Sequence, residues 1–176
     1  MKLDTIANVV GALAQAITDE VDEAIADELG QQHSGASALV HLSKYRDLSI
    51  DSLRRPLCLS HPGCVRLVDR LEAGRLVTRG EGEDRRARSL RLTAAGEREA
   101  KAVLRLRQAA LRRALETLTP REQQTLGRLV GKLLAGFVHD EAEALSVCRL
   151  CDYGSCPDSV CPVARALDAS PATRPA

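Results

Sequence analysis

The sequence predicts a mainly α-helical protein with a small β-hairpin wing: a winged helix-turn-helix flanked by long N-terminal and C-terminal dimerisation helices. Apolar residues recur at three- and four-residue steps over residues 4–29 and again after residue 93, as in amphipathic helices. Between them, two short helical patterns meet at a tight link. Two short strand patterns, joined by a charged Gly-rich loop, follow directly and indicate the wing.

The N-terminal helix is predicted over residues 4–29, and Gly30 ends it. A shorter second helix is predicted over residues 35–46. The apolar stripe of the first helix is too long for one compact domain to cover, so residues 1–34 are interpreted as a dimerisation helix. The stripe consists of Ile6, Val10, Leu13, Ile17, Val21, Ile25 and Leu29.

The helix-turn-helix and its wing are predicted within residues 35–93. The first short helix spans residues 50–55 and stops at Pro56, which cannot continue it. Ser60 is a suitable N-cap for the second helix, which carries Pro62 in its first turn and ends near Gly74. The strands are predicted at residues 76–79 and 87–93, around the loop GEGEDRR.

Two C-terminal dimerisation helices are predicted within residues 94–145. Thr93 caps the first, which runs to about residue 118. TPRE at residues 119–122 is a capping box that starts the second, which is predicted as one helix from residue 120 to about residue 145. Residues 146–165 form a Cys-rich segment. Residues 166–176, ending in SPATRPA, are expected to be a disordered tail.

The charge is distributed unevenly along the chain, although its formal sum is only +1. Residues 1–33 carry seven acids and one lysine, a net charge of −6, whereas residues 44–113 carry eighteen Lys or Arg and nine Asp or Glu, a net charge of +9. A basic middle in a nearly neutral chain indicates either an anion-binding surface or simply solvated helix faces. Charge alone does not separate the two.

The composition excludes several classes of protein. No apolar run is long enough to span a membrane and no signal-peptide pattern is present, so a cytoplasmic protein with reduced or metal-bound thiols is expected. No Gly-rich phosphate loop, activated nucleophile or paired-carboxylate motif occurs, so an enzyme is not expected.

The stretch LSIDSLRRPLCLSHPGCVRLVDRLEAGRLVTR, followed by RRARSLRLT, resembles the DNA-binding core of the MarR family of bacterial transcription regulators. The resemblance extends over residues 4–145. It implies a DNA-binding transcriptional regulator, expected to be a repressor, that binds an inverted repeat in double-stranded DNA as a homodimer and responds to a small-molecule or redox effector. The wing is one residue shorter than is usual in the family, although Asp84 and Arg86 fit its Asp-x-Arg pair.

The DNA-contacting residues are predicted at the start of the second helix and in the wing. Arg66 can bind a guanine edge, and Arg70 is better placed for a phosphate. Without the helix-turn-helix frame, both arginines would be expected to pair with Asp69 or Glu72 on an ordinary surface. The full set is Ser60, His61, Pro62, Gly63, Arg66 and Arg70, with Arg85, Arg86 and Arg88 as candidates for the minor groove.

The remaining Cys and His residues of the first half of the chain are given structural roles. Cys58 and Cys64 are expected to be small buried residues of the helix-turn-helix core. His33 and His41 are expected to be ordinary polar positions.

The stretch CRLCDYGSCPDSVCP holds Cys148, Cys151, Cys156 and Cys161, with the spacing C-x2-C-x4-C-x4-C-P. Four thiolates so close together require a cation or a cluster to neutralise them. A four-Cys zinc site usually has two C-x2-C pairs and a longer spacer, whereas iron–sulfur sites use compact runs ending in Cys-Pro. The spacing therefore favours an iron–sulfur cluster over Zn²⁺, with two disulfides as the third possibility. A metal-binding helical protein whose winged helix contacts other proteins is the alternative to a regulator.

Overall fold

The structure is a computed structural model that describes residues 1–81 and 88–169. This part of the chain contains eight helices and one two-stranded antiparallel hairpin, which confirms the predicted fold class. Among the described residues, no helix is both long enough and apolar enough to cross a membrane.

The first two helices are α1, Leu3–Leu29, and α2, His33–Lys44. Gly30 ends α1 in the left-handed conformation, at a φ of 62°, and its N–H donates to the Ala26 carbonyl oxygen at 2.8 Å. Glycine adopts this C-cap conformation without the steric cost that a Cβ would add.

The winged unit consists of α2 with four shorter elements. These are α3, Ile50–Arg54, and α4, His61–Ala73, then β1, Val77–Glu81, and β2, Arg88–Leu92. The two strands pair in antiparallel register. The helix-turn-helix and the hairpin therefore lie where the sequence predicts them.

One hydrophobic cluster fixes α4 relative to the rest of the winged unit. Burial of an aliphatic side chain of this size contributes about 1.5–3 kcal/mol before entropy is counted. Because the cluster takes one face of α4, the opposite face is turned to solvent. The buried members of this hydrophobic cluster that come from the helices and strands include Leu39, Leu42, Leu53, Cys64, Leu67, Val68, Leu71, Val77 and Leu90.

Two long helices follow the wing. α5, Ala94–Leu115, is capped by Thr93, and α6, Pro120–Ala135, begins with the predicted capping box of Thr119 and Glu122. α1 and α2 both pack along α5. A second cluster of buried residues joins these three helices and includes Val21, Ile25, Ala36, Val40, Val103, Ala110 and Leu150.

The prediction of one helix from residue 120 to about residue 145 is wrong. α6 ends at Ala135 and a separate helix, α7, spans Glu141–Val147. Gly136 caps the end of α6, and the Asp140 side chain accepts a hydrogen bond from the Glu143 N–H at 2.8 Å to start α7. An Asp N-cap satisfies a free helical N–H group, so it favours a new helix over continuation of the old one.

A last helix, α8, spans Pro162–Ala169. Residues 166–169 are therefore helical rather than part of a disordered tail. The reason is packing: Val163 is buried, and α8 lies against α6 and α7. Residues 170–176 lie outside the described part of the chain.

Large apolar side chains remain exposed on α1 and α6. α6 has no buried residue at all, and the N-terminal half of α1 is exposed in a single chain. We call this set the apolar surface of α1 and α6. It consists of Leu3, Ile6, Val9, Val10, Leu13, Leu129, Val130 and Leu133.

Candidate nucleic-acid interface and cysteine segment

The start of α4 presents the predicted contact residues to solvent. The Ser60 side chain accepts a hydrogen bond from the Gly63 N–H at 3.2 Å, so it is the N-cap. Ser60, His61 and Pro62 are exposed, and Gly63 is half-buried. The structure thus places these four positions together at one helix end.

Arg66 and Arg70 are exposed on the outward face of α4. The carboxylates expected to neutralise them are engaged elsewhere: Arg79 of β1 binds Asp69 at 2.6 Å and also binds Glu72. The Asp69 hydrogen bond raises the pKa of Arg79 further. Within the described residues, Arg66 and Arg70 make no ion pair, so both guanidinium groups are available to an external anion.

An acidic residue lies beside the start of α4. Asp51 of α3 is 2.7 Å from Arg54 Nε and 3.3 Å from His61 Nδ1. The Arg54 hydrogen bond, and then that of His61, lower the pKa of Asp51. Asp51 therefore orients the His61 ring, a role that its position ten residues before His61 did not reveal.

The wing is described only in part. Arg85 and Arg86 lie outside the described residues, and Arg88 pairs with Glu81 in the hairpin register. Another exposed arginine, Arg91 of β2, binds Asp47. Arg91 is not among the DNA-contacting residues predicted above, although the alternation of residues along β2 indicates an outward-facing side chain.

The two cysteines of the winged unit differ from each other. Cys64 is fully buried, as predicted, and burial raises the pKa of its thiol. The prediction for Cys58 is wrong: it is exposed, and its Sγ lies 3.2 Å from Ser146 Oγ of α7. Pro56 and Leu57 take the buried positions, and the backbone turns through a φ of 54° at Cys58, which directs its side chain outward.

His33 and His41 differ from the ordinary polar positions expected from the sequence: His33 contacts two charged side chains, and His41 is buried. His33 Nδ1 is 2.8 Å from Asp22 Oδ1, and His33 Nε2 is 3.3 Å from the Arg149 guanidinium, so the ring lies between α1 and the cysteine segment. His41 is only 3% exposed, and burial, followed by the charge of Lys44, lowers its pKa to about 4.

The cysteine segment, residues 148–161, connects α7 to α8. Cys148 caps the end of α7, and Cys161 immediately precedes α8; both are buried. Cys151 and Cys156 are half-buried and pack on the same cluster. The four thiols therefore share an apolar wall whose buried aliphatic members are Val138, Ala144 and Val163.

The thiols of the segment influence one another's protonation. Interaction with Cys151, followed by burial, raises the pKa of Cys148, and interaction with Cys148 lowers the pKa of Cys151 to about 6. Burial, followed by interaction with Cys161, raises the pKa of Cys156 to about 11. Over the described part of the chain, no three or more His, Cys, Asp or Glu side chains are arranged around one common point for a metal ion.

No protein-family model and no curated protein matches this chain. Solved structures, in contrast, match this chain. A MarR family protein from Bacillus stearothermophilus is 27% identical, with a TM-score of 0.66, over 76% of this chain and 95% of that one. The MarR family protein Rv2887 of Mycobacterium tuberculosis is 25% identical, with a TM-score of 0.62, over 73% and 92%.

The resemblance to the MarR family is confirmed. MepR of Staphylococcus aureus, a transcription regulator of the multidrug efflux pump MepA, shares the MarR-type fold at 14% identity, with a TM-score of 0.65 over 77% of this chain and 98% of that one. These MarR-type chains are matched almost completely, whereas about a quarter of the present chain has no counterpart in them.

Proposed function

We propose that this protein is a transcriptional regulator that binds specific double-stranded DNA through α4. The observation that carries the proposal is the availability of Arg66 and Arg70. Both extend from a face of α4 opposite its buried side, and the neighbouring acids are bound by Arg79. A helix of this kind fits the major groove, where an arginine can bind guanine through two hydrogen bonds.

The charge of the chain supports the same assignment. Residues 44–113 carry the net charge of +9 and include α4, the hairpin and most of α5. Phosphate contacts from such a region supply affinity that is independent of sequence, and the α4 residues add base preference. The structural similarity to MarR-type regulators also supports DNA binding by this region.

We infer that the DNA-binding form is a homodimer. The apolar surface of α1 and α6 comes from helices that precede and follow the winged unit in the chain, and a second copy can cover it by two-fold symmetry. Two α4 helices related in this way would read an inverted repeat whose half-sites lie about one turn of DNA apart. Occupation of such an operator would repress transcription by excluding other proteins from it.

We further propose that the regulator responds to iron or redox conditions through the cysteine segment. Support comes from the place of the segment: its Tyr153 contacts Lys44 of the winged unit, and α7, which directly precedes the segment, contacts Cys58 through Ser146. A small molecule is a second class of effector. A half-open cavity of about 310 Å³ lies between α1 and α5, and it is lined mainly by aliphatic side chains such as Leu13, Ile17 and Leu111.

Selection of a binding site from random duplex DNA, followed by titration at several salt concentrations, tests the proposal. A regulator will enrich an inverted repeat and lose affinity steeply with salt. Arg66→Ala should weaken the enrichment and relax base preference at the position that Arg66 contacts, whereas Arg121→Ala, at an exposed arginine at the start of α6, should leave the enrichment unchanged. Salt-independent or absent binding would favour the alternative in which the winged helix contacts proteins.

A further inference from the structure

We propose that the cavity between the end of α2, α7, the cysteine segment and α8 binds an amphipathic organic cation, whose ammonium group lies between the rings of Tyr45 and Tyr153. In the structure the Lys44 ammonium takes this place. The site is separate from the aliphatic cavity between α1 and α5. Only its effect on DNA affinity rests on the proposed function.

The size and walls of the cavity are the first argument. It is half-open and has a volume of about 360 Å³, within the roughly 300–1,000 Å³ that is typical of small-molecule sites. Leu145 of α7, with Val163 and Leu167 of α8, forms an apolar wall. Leu145 and Leu167 are only half-buried, so the wall keeps apolar area that the hydrocarbon part of a ligand can cover.

The position of the Lys44 side chain is the second argument. Its Nζ lies 3.1 Å from the centre of the Tyr153 ring and 4.9 Å from the centre of the Tyr45 ring. Aromatic rings within about 6 Å of one positive charge attract it, and cages of such rings recognise quaternary ammonium groups. Both rings are half-buried, whereas Lys44 is exposed. The ammonium group of the protein therefore marks the place for that of a ligand.

The charges around the cavity are the third argument. Three carboxylates line it, those of Glu141, Asp158 and Asp168, together with a single cationic side chain, that of Lys44. None of the three carboxylates is in an ion pair with another described residue. Excess negative charge attracts cations and repels anions. Because these carboxylates are exposed and screened by salt, they select the sign of the ligand, and the rings and the apolar wall supply most of the affinity.

A ligand cation must displace Lys44 from the two rings. A lysine ammonium is strongly hydrated and its four-carbon stem is flexible, so it returns to water readily. Within the described part of the chain, Lys44 makes no ion pair that would hold it in place. A quaternary ammonium has no N–H group and gives up no hydrogen bonds to water when it enters between the rings. Lys44 is therefore an internal competitor of the ligand.

One wall of the cavity belongs to the winged unit. Lys44 ends α2, Tyr45 is its C-cap, and the centre of the Tyr45 ring lies 4.8 Å from that of the buried His41 ring. On the same helix, Leu39 and Leu42 pack in the hydrophobic cluster that fixes α4. A ligand that moves Lys44 and contacts Tyr45 acts on the helix that holds α4, so we expect the ligand-bound protein to differ in DNA affinity.

Calorimetric titration of the full-length protein with three probes of matched size tests the site. The probes are a phenylpropyl trimethylammonium cation, its uncharged tert-butyl isostere, and a phenylalkyl carboxylate of the same length. We expect one cation to bind per chain, about tenfold more tightly than the isostere, and the carboxylate not to bind. No binding of the cation, equal affinities for cation and isostere, or tighter binding of the carboxylate would each overturn the proposal.

Substitutions at the two rings distinguish an aromatic cage from a purely apolar cavity. Tyr153→Leu should weaken binding of the cation about tenfold, whereas Tyr153→Phe, which keeps the ring, should stay within about twofold of the parent. Lys44→Ala should tighten binding about two- to fivefold, because the internal competitor is gone. Circular dichroism checks that each variant folds. If Tyr153→Leu does not fold, Lys44→Ala still decides, since unchanged or weaker binding by it refutes displacement of Lys44.

The role of the carboxylates is tested by removal of one charge. Asp168→Asn should weaken binding of the cation about twofold at low salt and have no effect at high salt. Glu23→Gln, which removes the same charge from an exposed position of α1 outside the cavity, is the matched control and should bind as the parent does. Equal effects of the two substitutions would refute selection of the cation by the charges of the cavity.

DNA affinity is then measured with the selected duplex, with and without a saturating concentration of the cation. A change in either direction supports the coupling, and the duplex should alter the affinity for the cation by the same factor. Equal DNA affinities would refute the coupling while the cation site stands. No DNA binding by any form would refute the proposed function, whereas failure of the cation to bind would refute the site alone.

Discussion

The Lys44 ammonium lies over the ring of Tyr153, 3.1 Å from its centre. Lys44 is the last residue of α2, and Tyr153 belongs to the cysteine segment. Tyr153 is also tied to the segment itself, since its hydroxyl donates to the Cys148 carbonyl oxygen at 3.4 Å. This pair therefore joins the winged unit to the cysteine segment.

Removal of the ring should weaken this junction. A cation over an aromatic face contributes about 0.5–2 kcal/mol, more when the pair is shielded from water. We expect Tyr153→Leu to lower the free energy of unfolding by about that amount, because half of the ring is shielded. A double-mutant cycle with Lys44→Met, measured by urea unfolding, isolates the pair. Additive effects of the two substitutions would contradict the interaction.

Arg66 and Arg70 should differ in what they contribute to DNA binding. Arg66→Ala should cost about 1–3 kcal/mol at the selected site and relax base preference there. Arg70→Ala should weaken binding to all sequences alike and reduce the slope of log affinity against log salt by about 0.9 per lost phosphate contact. Fluorescence anisotropy on matched and scrambled duplexes separates the two patterns. Unchanged affinity in Arg66→Ala would place α4 outside the groove.

The dimer can be tested without disturbing the core of a single chain. Leu133 of α6 is 57% exposed in the monomer and belongs to none of the three buried clusters, so Leu133→Lys leaves the core of the single chain intact. Burial of a lysine charge in a two-fold interface places two like charges close together, and we expect a monomer with unchanged helical content. Light scattering after size exclusion measures the mass. Val160→Lys, on an equally exposed residue of the cysteine segment, is the control and should remain dimeric.

Much of the fold follows from local signals in the sequence. Ser60, Thr93 and Thr119 start helices where their side chains can accept from free N–H groups, and the structure shows each of these caps. The sequence does not predict the break between α6 and α7, because the apolar periodicity of α6 continues through Phe137 and Val138. The Asp140 cap that starts α7 is a signal of a single residue. Periodicity reports a buried face, whereas a cap decides where a helix can begin.

The candidate DNA-binding site could be predicted only in part from the sequence, because some of its contacts join residues that are far apart in the chain. Arg66 could be assigned to an outward face by helical spacing, but its freedom from Asp69 depends on Arg79, which the hairpin brings back to α4. Likewise, exposure of Cys58 results from a left-handed turn after Pro56 that no residue type in the link predicts. Such contacts join residues distant in sequence, so they appear only once the chain is folded.

Close approach of α5 to the backbone of Leu76, just before β1, should make any side chain at Gly96 destabilising. A Cβ at this position would overlap the Leu76 carbonyl oxygen and come within 3.1 Å of Leu92 Cδ2. Gly96→Ala should therefore lower the free energy of unfolding by about 1–3 kcal/mol through overpacking, although alanine is the better helix former. Arg98→Ala, on the exposed side of the same turn, is the matched control and should change stability by less than about 0.5 kcal/mol.

Burial of His41 should make stability depend on pH below neutrality. Its pKa is lowered to about 4 in the folded protein from an ordinary value of 6.5, chiefly by burial, and its Nδ1 has no hydrogen-bond partner among the described residues. Because the unfolded chain binds the proton first, this residue stabilises the fold above about pH 6.5. That stabilisation is lost at up to about 1.4 kcal/mol per pH unit as the pH falls towards 4.

The variant His41→Gln isolates this contribution, because glutamine does not titrate. The free energy of unfolding of each protein is measured in urea from pH 4 to 8, and the variant's value is subtracted from that of the parent. The titrations of groups that both proteins share cancel in the difference. We expect the difference to be constant above about pH 7 and to shift in favour of the variant as the pH falls, because only the parent must keep a buried imidazole neutral. A difference that stays constant down to pH 4 would show that His41 can be protonated within the folded protein at no cost.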